Sequence, residues 1–169
     1  HTFDLARQLM RHNVLKRVFS GYPRWKLRDE TVPRDMVDTY PWFVVPRMAL
    51  ARYGLLHGPR MAALDEFSQT MFAAHVARNL PDADIFHALS RYALRPGLAA
   101  KARGQRFILD VGSSHISNQV RLMAAEAEAL GIAVEMPHPR GVDRELEEYE
   151  AADLITLPSQ YAIDSFVAE

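Results

Sequence analysis

The chain has no cysteine in its 169 residues. Disulfides and thiolate zinc sites are therefore excluded. Only eight glycines occur, and no two are separated by a single residue. The Gly-x-Gly dinucleotide fingerprint is thus missing, as is the Gly-Lys-Ser/Thr end of a phosphate-binding loop. No two histidines stand four positions apart, so the helical His-x-x-x-His zinc pair is absent. No apolar run reaches the roughly 18–20 residues of a membrane span. No internal repeat, low-complexity tract or interdomain linker is visible. These gaps weigh against an intact oxidoreductase, an NTPase and a zinc protease. No metal, no cofactor and no nucleic-acid partner is expected. The chain opens on His1 without a basic–apolar–small leader, and reads as cytoplasmic and trimmed at its start.

What is present is an ordinary soluble composition with an uneven charge. The net charge is −1, yet residues 1–60 carry eleven Lys and Arg against five acids, and residues 61–169 carry nine against sixteen. The basic part suits an anionic membrane surface, a lipid phosphate or a nucleotide. It equally suits a scatter of solvated arginines.

Periodicity predicts an amphipathic helix over 1–13, with Leu5, Leu9 and His12 beside Ala6 and Met10. A strand over Val14–Ser20 ends in the turn Gly21-Tyr22-Pro23. Residues 21–46 read as a long loop with one strand near Met36–Tyr40. Pro46 opens a short helix ending near Gly54 or Gly58, and Pro59 starts a longer one through Leu80. After Pro81 the pattern becomes regular. Strands are expected at Ile85–Leu89, Arg106–Val111 and Leu154–Leu157, with helices at Leu94–Arg103, 114–130 and from a cap at Asp143 onward. Pro137–Gly141 reads as a loop. Alternating strands and helices imply right-handed βαβ units: an α/β domain over 1–169, its mostly parallel sheet carrying helices on both faces.

Ligands of such sheets bind beyond the carboxyl ends of the strands. That rule selects Ser90-Arg91, Gly112-Ser113-Ser114-His115 and Pro158-Ser159. Gly112 lets a ligand approach the backbone, and Ser113 or Ser114 can cap the following helix. Free N–H groups at that helix start attract anions. His115 can bond a sugar hydroxyl or counter a phosphate; the plainer reading is a solvated first-turn residue. Arg91 can hold a phosphate or carboxylate, or the segment is only a turn capped by Ser90. His87 reads as a hydrogen-bonded core residue and His75 as structural. Glu145, Glu147, Glu148 and Glu150 read as a solvated helix face. Trp25, among Arg24, Lys26 and Arg28 with Trp42 nearby, is either an interfacial anchor or a loop whose tryptophans pack inward.

The order of these features resembles the N-terminal domain of family 4 glycosyltransferases. The resemblance rests on His1-Thr-Phe-Asp-Leu-Ala-Arg-Gln-Leu9, Tyr22-Pro23, Phe86-His-Ala-Leu-Ser90, Ala100-Lys-Ala-Arg-Gly104, Asp110-Val-Gly-Ser-Ser-His115 and, most strongly, Glu148-Tyr-Glu-Ala-Ala-Asp-Leu-Ile-Thr-Leu-Pro-Ser159. It implies the acceptor-side half of a two-domain GT-B enzyme, Rossmann-like, with its first strand and glycine-rich turn missing. Such enzymes move a sugar from a nucleotide-sugar donor to a glycan or lipid-linked acceptor, with retention and without a structural metal. On this resemblance His115 lies beside donor sugar and acceptor, and Ser159 lies near the interdomain cleft. The nucleotide-sugar domain would follow, and peripheral contact with the inner face of the membrane is compatible. The rival reading is a non-catalytic flavodoxin-like binding or regulatory module. An α/β hydrolase is disfavoured because no Gly-x-Ser-x-Gly elbow occurs.

Overall fold

In the computed structural model, residues 2–55, 58–134 and 136–169 are described. His1, at the start of the expected first helix, lies outside them. The protein is mixed α/β, with helices around two small parallel sheets. The chain divides into two compact units, His1–Ala83 and Asp84–Glu169.

The first unit begins with α1 (Thr2–Arg11). Its buried position is Ala6, while His12 and Leu5 are exposed, so the buried face is rotated from the expected Leu5–Leu9–His12 stripe. Asn13 takes a left-handed φ of 56°, and the Val14 N–H returns to the Leu9 carbonyl at 3.0 Å. This helix stop consumes Val14. The strand β1 is therefore only Val18–Ser20, shorter than expected. Two 3-10 turns follow, Arg24–Leu27 and Arg34–Met36, and lead into β2 (Val37–Thr39). β1 and β2 pair in parallel, Val18 opposite Val37 and Ser20 opposite Thr39. Ala6, Val18, Val32 and Val37 make the core there, flanked by Phe3, Leu15, Leu27 and Met36. The helix α2 (Val44–Arg52) starts two residues before Pro46; a proline in a first turn loses no helical bond. Next comes α3 (Pro59–Arg78), opened by Pro59 as expected. His75 on α3 bonds Asp38 of β2 at 2.9 Å and stacks on Tyr40, a structural role.

The second unit runs β3 (Ile85–Leu89), α4 (Leu94–Lys101), β4 (Arg106–Asp110), α5 (Ile116–Leu130), α6 (Pro139–Ala151), β5 (Leu154–Thr156) and α7 (Gln160–Val167). Its three strands are parallel in the order β3-β4-β5. Leu89 stands opposite Asp110, and Asp110 opposite Thr156. Side chains alternate across the sheet. Phe86, Phe107 and Leu109 form the buried row, against which α4 and α6 pack. Ile85, Leu89 and Leu154 of the other row are exposed. A Cβ on Gly97 would lie 2.5 Å from the Phe107 ring, so only glycine lets α4 approach the sheet this closely. Gly131 closes α5 at φ 62°. α6 starts earlier than Asp143, because His138 caps it and Pro139 is its first residue. The segment expected as a loop is its first turn, and Asp143 is an exposed residue inside the helix.

Candidate functional site

The aligned strand ends bring the selected residues to one rim. Beyond Leu89 the Ser90 N–H continues the ladder to the Asp110 carbonyl at 3.0 Å, and the Val111 N–H reaches the Thr156 carbonyl at 3.0 Å. Ser90-Arg91, Gly112–His115 and Ser159 therefore leave the same carboxyl edge of β3-β4-β5. Each of the three turns is held differently.

The first turn hangs on a buried carboxylate. Arg91 has a left-handed φ of 76°, uncommon outside glycine. Its N–H donates to Glu148 Oε2 at 2.6 Å, while the Ala93 and Leu94 N–H groups donate to Oε1 at 2.8 and 3.1 Å. Glu148 is fully buried and occupies the positive end of α4, where a negative charge is favoured. Burial pushes its carboxyl above the ordinary value, and the three N–H donors pull the other way. Two expectations are corrected here. Ser90 does not cap α4, and the acidic face of α6 is not uniformly solvated, since Glu145 and Glu148 point into the fold. Helical spacing carries the missed signal: 145, 148 and 149 share one side of α6. Arg91 and Tyr92 have exposed side chains.

The second turn is built around His115. Its ring is 8% exposed, 5.0 Å from Tyr149 and 4.8 Å from Phe166, centroid to centroid. It is no solvated first-turn residue. His115, rather than either serine, caps α5: Nδ1 accepts the Ser117 N–H at 3.3 Å. A neutral ring accepting at Nδ1 carries its proton on Nε2, which has no partner among the described residues. The His115 N–H donates to Ser165 Oγ at 2.9 Å. The amides of residues 115 and 117 are thus engaged within the protein, which removes those two from the expected anion site. The Tyr149 hydroxyl donates to Glu145 at 2.9 Å; burial first, then Glu145, raise its pKa beyond the usual phenol range. Gln119 donates to Ser113 Oγ at 2.9 Å and to the Ser114 carbonyl at 2.6 Å. Asn118 Nδ2 donates to Ser114 Oγ at 3.2 Å and to the Tyr161 hydroxyl at 3.0 Å. Gly112 and Ser113 remain exposed, whereas Ser114 is buried.

The third turn ends in Ser159, which caps α7 by accepting the Ala162 N–H at 3.2 Å and is itself exposed. α7 also supplies Ser165 to the second turn. Asp110, at the end of β4, accepts from Thr156 Oγ1 at 2.9 Å and is half-buried; neither residue was singled out in the sequence. His87 lies on the open row, not in the core, and no hydrogen bond to its ring is found among the described residues. Burial lowers its pKa, and the Asp110 carboxylate acts in the opposite sense.

The rim thus presents hydroxyls, an exposed backbone segment at Gly112-Ser113 and the exposed Arg91 side chain over a hydrogen-bonded base. Such a set can hold a polyhydroxylated or anionic ligand. Among the described residues no acidic–histidine cluster able to hold a metal is found, and no helix is long and apolar enough to cross a membrane. The class defined is an α/β protein with a candidate site on the carboxyl rim of a parallel sheet. Compared with known proteins, the chain matches no family model, no curated protein and no solved structure.

Proposed function

We propose that the chain is the acceptor-side domain of a retaining glycosyltransferase that moves a sugar from a nucleotide-sugar to a glycan or lipid-linked acceptor. The observation that carries the reading is the common rim: Ser90, Arg91, Gly112–His115 and Ser159 all follow register-aligned ends of three parallel strands. Three motifs of the resemblance, ending at Ser90, His115 and Ser159, fall on the same turns. In this reading Ser113 and Ser159 bond acceptor or donor hydroxyls, and Arg91 meets a phosphate oxygen. His115 offers Nε2–H to a sugar oxygen, with Nδ1 fixed by the Ser117 amide. A second, nucleotide-sugar-binding domain supplies the groups that stabilise charge on the departing phosphate. The enzyme works in the cytoplasm, and a lipid-linked acceptor brings it to the inner face of the membrane.

The test is turnover of nucleotide-sugars by the protein that carries both domains. His115→Ala is expected to lower the rate at least about tenfold, equivalent to roughly 1.4 kcal/mol of barrier. Because His115 is packed, Arg91→Gln, with its exposed side chain, is measured beside it and is expected to raise the donor or acceptor KM. Wild-type kinetics in both variants would remove the site.

A further inference from the structure

The two exposed tryptophans of the first unit leave the same end of its sheet. β1 and β2 are parallel with Ser20 opposite Thr39, so the segments after them, Gly21–Arg28 and Tyr40–Phe43, emerge at one edge. The Tyr40 N–H bonds the Ser20 carbonyl at 2.9 Å, and a Cβ on Gly21 would lie 2.8 Å from Val44. The two segments are therefore side by side. Trp25 is 66% exposed and Trp42 73% exposed, which overturns the inward-packing alternative. Tyr22 is exposed as well. Lys26 Nζ sits 5.5 Å from the Tyr22 ring centre and 5.6 Å from that of Trp25, so cation and aromatics form one cluster. From Leu5 to Arg28 the chain carries seven Lys and Arg and no acid. Arg24, Lys26 and Arg28 are exposed.

Rings this open lack the walls that a small-ligand pocket needs. They suit a broad, soft, negatively charged surface: amphipathic indoles settle at the headgroup level while cations meet lipid phosphates. We propose that the loops after β1 and β2 form a docking surface for an anionic lipid bilayer, with Trp25 and Trp42 entering the interface and Arg24, Lys26 and Arg28 facing the headgroups. This goes beyond the transferase reading and does not rest on it.

The test is co-sedimentation of this chain with phosphatidylcholine vesicles containing about 30% phosphatidylglycerol, against phosphatidylcholine alone. Binding is expected to the anionic vesicles and to weaken steeply with added salt. Each cation near such a surface is worth about fivefold in affinity, so K26Q/R28Q should bind roughly twenty-fold more weakly. W25A/W42A should bind at least about tenfold more weakly, while W25F/W42F retains most of the affinity. Circular dichroism checks that each variant keeps its helices. The proposal is overturned if wild type stays in the supernatant, if neutral and anionic vesicles bind alike, or if folded K26Q/R28Q and W25A/W42A bind undiminished. Preference for a single-stranded oligonucleotide over the vesicles would overturn it too.

Discussion

A carboxylate without solvent needs donors from inside the fold, and Glu148 has three backbone amides. Glu148→Ala would orphan all three, and with each buried unsatisfied donor costing about 1–3 kcal/mol, a loss of roughly 3 kcal/mol in urea unfolding is expected. The pH dependence has a definite sign. Burial holds the Glu148 carboxyl above its ordinary value of 4.5, so the native chain keeps the proton more tightly than the unfolded one. That contribution is complete below the unfolded value and fades as pH climbs through the folded one. The stability gap between wild type and Glu148→Gln should therefore narrow as pH rises from the acid range; a gap that widens would reverse the assignment. The sequence hides this residue because an acid-rich helix looks solvated until its spacing is mapped onto the packed side. His115 was legible by position, at the end of a strand and the start of a helix. Its burial was not, because Tyr149 and Phe166 lie 34 and 51 residues away in the chain.

At the level of elements, apolar runs between glycines and prolines made most boundaries readable, from the start of α3 at Pro59 to the end of α5 at Gly131. The exceptions have local causes. β1 is short because the end of α1 claims Val14, and α6 begins early because His138 and Pro139 form an N-terminus that looks like a loop. Gly97 also escapes sequence reading: a glycine inside a helix shows its purpose only when the Phe107 ring is seen beneath it. Phe107 is fully buried and has little room to yield. Gly97→Ala is therefore expected to lose about 1–3 kcal/mol by overpacking, despite alanine's better helix propensity. Thermal unfolding reads this directly, and an unchanged or raised Tm would show that α4 can lift away freely.

For the molecule as a whole, the α/β class followed from the alternation of strands and helices. The split into two parallel sheets did not, since strand order between distant segments leaves no mark in local periodicity. The carboxyl-rim rule selects segments that the structure gathers along one edge of the sheet, and in the proposed reading sugar transfer also needs the groups of a second domain. Incubated alone with nucleotide-sugars, the 169-residue chain is expected to give no transfer or hydrolysis above buffer. Product from the isolated chain would show that the rim residues suffice and would discard the two-domain reading.

Glu148 and Tyr149 are consecutive on α6, one gripping the turn after β3 and the other flanking the imidazole after β4. Two rim loops thus hang from adjacent rungs of a single rod. Any slide or roll of that rod displaces both together, so the edge tightens or slackens as one jaw. Substitutions along α6 will retune the pair jointly, whichever loop they were aimed at.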